Sequence, residues 1–213
     1  LNSAAFVPPP PSEGSARQQT DDAATEVLRS QEGCARWDLA ASDADLHFHA
    51  ATSICSCALG AAVSDAQTPT MYRLLHRSLT DLGLATYPAK KAHQRAGSLP
   101  VIGEAICTPD DRELLETDGS YPSGDSGWGW ALILSQLAPE KAEVLLALGR
   151  AHARSRKVCN VRWMSGTEAS MAVGAAAFAR LQNKELFQAT MAVARAELSL
   201  GNNPDAEACV QEA

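Results

Sequence analysis

The stretch YPSGDSGWGWALIL, Tyr121–Leu134, turns through Pro122, Ser123 and Gly124 and opens into an apolar helical pattern. A turn that delivers backbone N–H groups at a helix start is the usual layout for holding a phosphate group. Asp125 runs against that chemistry, because it puts an acid where the anion needs donors. Two other groupings carry ligand-type residues. Cys55-Ser56-Cys57 has the spacing of a metal or redox pair, and equally that of one buried and one bridged thiol on a helix. His47 and His49 suit metal ligands on a strand; on a helix they point to different sides and are structural.

The elements that must position these residues read as helices. LNSAAFVPPPPSEG, residues 1–14, is an extended arm, because four consecutive prolines favour polyproline II. Residues 15–213 form a single domain. Ser15 caps a helix running to about Arg29, and GCARWDLAASDADL starts another that continues to about Leu59. Thr68 caps a third, with Pro69 at its first position and Met71, Leu74, Leu75, Leu79 and Leu82 on one stripe. Lys90–Tyr121, with Pro100, Pro109 and several glycines, is expected to be mostly loop with one short helix. Helical spacing returns over Ser126–Leu137, Pro139–Arg154, Gly166–Leu181 and Asn183–Leu200. Alternating strand patterns are absent, so the fold class is all-α.

Composition narrows the function. With 213 residues, 46% of them hydrophobic, the chain can bury one core. A net charge of -7 supplies no basic face for nucleic acid. No apolar run approaches the roughly 18 residues of a membrane span. A start at Leu1 fits a mature protein whose signal peptide has been removed, and the six cysteines are compatible with three bridges whose pairing stays open.

Several long segments resemble the bacterial class A non-specific acid phosphatases, in that family's order and spacing. They are VPPPPSEGSARQQTDDAA, ARWDLAASDADL, TPTMYRLLHRSLTDLGLAT, DGSYPSG and SRKVCNVRWMS. The family belongs to the type-2 phosphatidic acid phosphatase superfamily, with the vanadium haloperoxidases. The resemblance implies a compact helical bundle of that superfamily's kind, a homodimer, and export to the periplasm or beyond the cell. It also implies a site built from three blocks, K-x6-R-P, P-S-G-H and S-R-x5-H-x3-D. There lysine, arginines, serine and a glycine amide surround phosphate. One histidine becomes phosphorylated, an aspartate orients it, and the other histidine protonates the leaving alcohol.

Laid on those blocks, Lys90, Ser123, Gly124, Ser155 and Arg156 match. Gly97 and Ser98 stand where arginine and proline belong, and Arg95 is offset by two positions. Asp125 replaces the general-acid histidine, Arg162 the nucleophile and Gly166 the orienting aspartate. Arginine stays protonated and offers no lone pair, so phosphohistidine chemistry should be lost. His93 and His152 do not fall on catalytic positions, and His76 is expected to be exposed. Cys107 and Cys159 lie near the first and third blocks, a placement that would let them bridge the segments supporting the pocket. Arg162 is expected to pair with Asp125 across the pocket, the alternative being a stack on an aromatic ring. Lys90, Ser123, Gly124, Arg156 and Arg162 remain as an anion site for phosphate or another small anion. No metal or cofactor is implied. The leading reading is a pseudo-phosphatase that binds an anion or a macromolecular partner. The alternative is an active phosphomonoesterase with Asp125 as nucleophile. Reverting all four altered positions should return activity if the scaffold around them is intact.

Overall fold

The computed structural model describes residues 1–45, 55–103, 105–124, 127–200 and 209. The readings placed on His47, His49 and Asp125 therefore lie outside the described residues. Among those described there is no strand, and the layers are helix on helix.

The arm is docked against the domain. Ser3–Ala5 forms a 3-10 turn, Ser3 is fully buried, and its hydroxyl accepts from the Ala89 amide at 3.1 Å. Pro8 then follows in non-helical backbone and receives the Tyr121 hydroxyl at 3.0 Å. Helix α1 (Ala16–Arg29) begins as expected, with Ser15 accepting from Gln18 N–H at 3.2 Å. Helix α2 (Ala35–Asp43) ends well short of Leu59; residues 55–59 are helical again, but 44 and 45 have left the helix.

Helix α3 (Pro69–His93) is the long central element. Its stripe is the core: Met71, Leu74, Leu75 and Leu82 are buried, with Leu79 packed against them. Thr68 does not cap it with its side chain. The Thr68 hydroxyl instead donates to the Ala62 carbonyl at 2.9 Å. The orphan amides at this helix start go to Glu197, whose carboxylate accepts from Thr70 and Met71 N–H at 2.9–3.0 Å. An acid at a helix N-terminus also complements the macrodipole.

The stretch expected to be mostly loop is more helical than its prolines suggest. Helix α3 carries Pro88 and runs on to His93. Helices α4 (Ser98–Ile102) and α5 (Arg112–Thr117) follow, the latter introduced by a 3-10 turn at Pro109–Asp111. Proline at a first helical turn leaves no bond unmade, so here it starts helices and does not prevent them. Helices α6 (Gly127–Leu137), α7 (Ala142–Val158), α8 (Met164–Gln182) and α9 (Glu185–Ser199) complete the bundle. α6 lies between α7 and α8, and α3 packs on α8 and α9. The approach of α7 to α6 requires Gly149, since a Cβ there would collide with that of Ala131.

Candidate anion site

Lys90 occupies the last turn of α3, where Gln94 adopts φ 45° and its amide bonds the Lys90 carbonyl at 2.9 Å. The chain then doubles back towards α4. Three ties hold this returning segment against the other two blocks. Ser120 N–H donates to the Arg95 carbonyl, Ser120 Oγ to Ala96, and Ser98 Oγ to Asn160, all at 2.9–3.0 Å. Beneath them lies a second apolar cluster of Ala40, Leu99, Ile106, Leu115, Val158 and Val161. The disulfide Cys107–Cys159 clamps this region immediately before Asn160, which adopts φ 58°, and Arg162. The sequence reading of that bridge is borne out. So is the structural reading of Cys55 and Cys57: Cys55 is a buried thiol outside any disulfide, and Cys57 is bonded to Cys209.

Lys90 and Arg162 converge on one carboxylate oxygen. Lys90 Nζ lies 2.5 Å from Asp118 Oδ2, and Arg162 Nη2 lies 2.8 Å from the same atom. Both cations are buried, at 7% and 6% exposure, while the Asp118 side chain is 29% exposed. Burial is the first cause that lowers the Lys90 pKa; Asp118 opposes it, and the charges of Arg162 and Arg156 add to it. Arg162 is lowered to about 10, again by burial first, with Asp118 opposing and Arg156 reinforcing. Arg156, in the last turn of α7, thus contributes its positive field to the same centre.

The remaining candidates are distributed as follows. Ser123 is buried and its amide donates to the Gly166 carbonyl at 2.9 Å, which docks the Pro122–Gly124 turn on the start of α8. Gly124 is exposed, and a Cβ built on it would lie 3.6 Å from Lys90 Nζ, so the turn and the lysine lie against each other. Gly97 is the N-cap of α4, and an added Cβ there would sit 3.3 Å from the Val161 carbonyl. Gly166 is tighter, since its Cβ would meet the Ser120 carbonyl oxygen at 2.9 Å. Ser155 faces away from the centre, bonding the Asp43 carboxylate and accepting from Arg36 at 2.8 Å.

Arg95 does not substitute for the missing arginine. It bonds Asp21 at 2.7 Å, Gln18 at 2.6 Å and Ser165 Oγ at 2.7 Å, and it stacks near Trp163 and Tyr121. Asp21 in turn accepts from the Ser165 amide at 2.8 Å, so this network staples α1 to the start of α8. The aromatic stack considered for Arg162 is thus made by Arg95. His76 is exposed, as expected. The described residues hold no cluster of three or more potential metal ligands, and no described helix is long and apolar enough to cross a membrane.

Asp118 is the residue that sequence reasoning passed over. It lies in DGSYPSG, where it counted only as scaffold. The available signal was an acid at the head of an otherwise uncharged run, Gly119–Gly124.

No protein-family model matches the chain. It is 36% identical over 206 residues to the non-specific acid phosphatase of Salmonella typhimurium, an alignment covering 95% of this chain and 82% of that protein. It is 36% identical over 199 residues to the acid phosphatase of Zymomonas mobilis, covering 91% and 74%. The non-specific acid phosphatase of Providencia stuartii is 34% identical over 202 residues, covering 93% and 82%.

Proposed function

This chain belongs to the class A non-specific acid phosphatase family, and we propose that within it the chain has given up phosphohistidine catalysis and acts as an anion-binding protein. The observation that carries this reading is the state of Arg162. A permanently cationic guanidinium stands at the nucleophile position, with its Nη2 2.8 Å from Asp118 Oδ2. Such a group stabilises a phosphate but cannot accept a phosphoryl group. At the general-acid position stands Asp125, whose unperturbed pKa of about 3.9 is far too low to protonate an alkoxide leaving group at neutral pH.

What remains is a positive centre of Lys90, Arg156 and Arg162, flanked by Ser123 and Gly124. Phosphate or another small oxyanion is the ligand this set suits. The disulfides Cys107–Cys159 and Cys57–Cys209 support a periplasmic or secreted location, where thiols are oxidised. A homodimer is proposed from family membership. A protein partner that reads the occupied site would give a non-catalytic copy its use.

The test is hydrolysis of a chromogenic phosphate ester from about pH 4 to 9, the range over which a carboxylate or histidine mechanism would titrate. Background rates throughout are expected. Turnover that disappears in Arg156→Ala would support instead the competing reading, a working phosphomonoesterase with a rebuilt site.

A further inference from the structure

The anion site proposed above already contains an anion, and it comes from the chain itself. We propose that Asp118 is a built-in competitor: its carboxylate fills the ligand position between Lys90 and Arg162, and a tetrahedral dianion enters by displacing it into solvent. The inference rests on the anion-binding reading and supplies the regulation of that site.

Three observations carry it. Lys90 and Arg162 are brought by different segments, yet both donate to the single atom Oδ2, the way two cations grip one oxygen of a ligand. The acid is the solvent-facing member of the group at 29% exposure, against 7% and 6% for the cations, so it stands on the route from water to them. Arg156 adds its positive field to Lys90 and Arg162. That field draws a dianion more strongly than a monoanion. Asp118 is placed to leave. It is the C-cap of α5, with ψ 128°, and Gly119 follows, so a change in one or two backbone dihedrals moves it without disturbing a helix interior.

Inorganic phosphate and phosphate monoesters share this dianionic chemistry. The experiment titrates inorganic phosphate and glycerol phosphate separately into wild type, Asp118→Asn and Asp118→Ala. Removing the competitor should tighten phosphate binding by about tenfold or more in both variants. Asp118→Ala should in addition bind acetate in competition with phosphate, because the vacated place suits a carboxylate. A preference for the ester or for the free ion supports displacement either way and identifies the source. Equal affinity in wild type and both variants would overturn the proposal.

Wild type gives a reading that needs no variant. Phosphate should shift the backbone NMR signals of Asp118 and Gly119 as the carboxylate leaves. Binding that leaves them unmoved, or no binding at about 50 mM phosphate, overturns the proposal. Ester turnover would defeat the non-catalytic reading, whereas displacement of Asp118 is judged on binding alone.

Discussion

Arg162 Nη2 lies 2.8 Å from Oδ2 of Asp118, a residue 44 positions earlier in the chain. Lys90 meets the same oxygen at 2.5 Å, so one carboxylate stands between the two buried cations. The pairing expected from sequence was Arg162 with Asp125, which lies outside the described residues. The physical requirement was the same in both cases. A guanidinium at 6% exposure must find an acid or a ligand, because an unpaired buried charge is far too costly to keep. Asp118 meets it from the end of α5.

Asp118→Ala should therefore destabilise the fold as well as open the site. Removing one partner of a buried pair costs roughly 3–5 kcal/mol, and the partial exposure of Asp118 brings the expected loss down to about 1–3 kcal/mol. Urea unfolding checks it. Phosphate should return part of the loss, because a ligand that binds only the native state stabilises it by mass action. A variant as stable as wild type without phosphate would mean the two cations are satisfied elsewhere.

Lys90 sets a pH dependence. Its folded pKa is lowered, chiefly by burial, from the ordinary lysine value of 10.5. Below its folded pKa the lysine is charged in both states and the full burial penalty is present. Between the folded and unfolded values the unfolded chain binds more protons, so stability rises with pH through that window. Comparing wild type with Lys90→Met from neutrality towards pH 10.5, the difference should move steadily in favour of wild type. A difference that stays flat or falls would contradict the lowered pKa.

Much of this was legible before the fold. The Leu74, Leu75 and Leu82 stripe, the Ser15 cap and the helical reading of the last four segments depend on local spacing, which sequence carries directly. The cap of α3 was misread, because Thr68 has the right residue type, while Glu197 reaches the same amides from 127 residues away. Asp118 was missed for a related reason. Its partners come from α3 and from the link between α7 and α8, and no local pattern brings three segments to one oxygen. The helices after Lys90 were underestimated because proline was counted as a breaker where it starts a turn.

Gly166 has little room for the aspartate that the family's third block carries at this position. Returning aspartate to that position places a Cβ 2.9 Å from the Ser120 carbonyl, a backbone atom held by the bonds of Ser120 to Arg95 and Ala96. The simpler change Gly166→Ala should destabilise by about 1–3 kcal/mol through this overlap. The combined Gly97→Arg, Asp125→His, Arg162→His and Gly166→Asp chain should fold poorly and be inactive, whereas the sequence reading expects activity from it if the scaffold around those positions is intact. Robust phosphatase activity in that chain would show that the Ser120–Ser123 segment yields.

The disulfide Cys107–Cys159 holds the site in a way that Cys57–Cys209 does not. It joins the link between α4 and α5 to the residue just after α7, so it fixes both the approach to Asp118 and the approach to Arg162. Replacing both cysteines with serine should cost about 2–4 kcal/mol, since the bridge closes a loop of 52 residues. It should also blunt the difference in phosphate affinity between wild type and Asp118→Asn, because looser segments present the cations less well. Cys34→Ser, at an exposed free thiol, is the control and should change stability by less than about 0.5 kcal/mol. If the double serine variant lost stability but kept the full affinity difference, the bridge would support the fold without positioning the site.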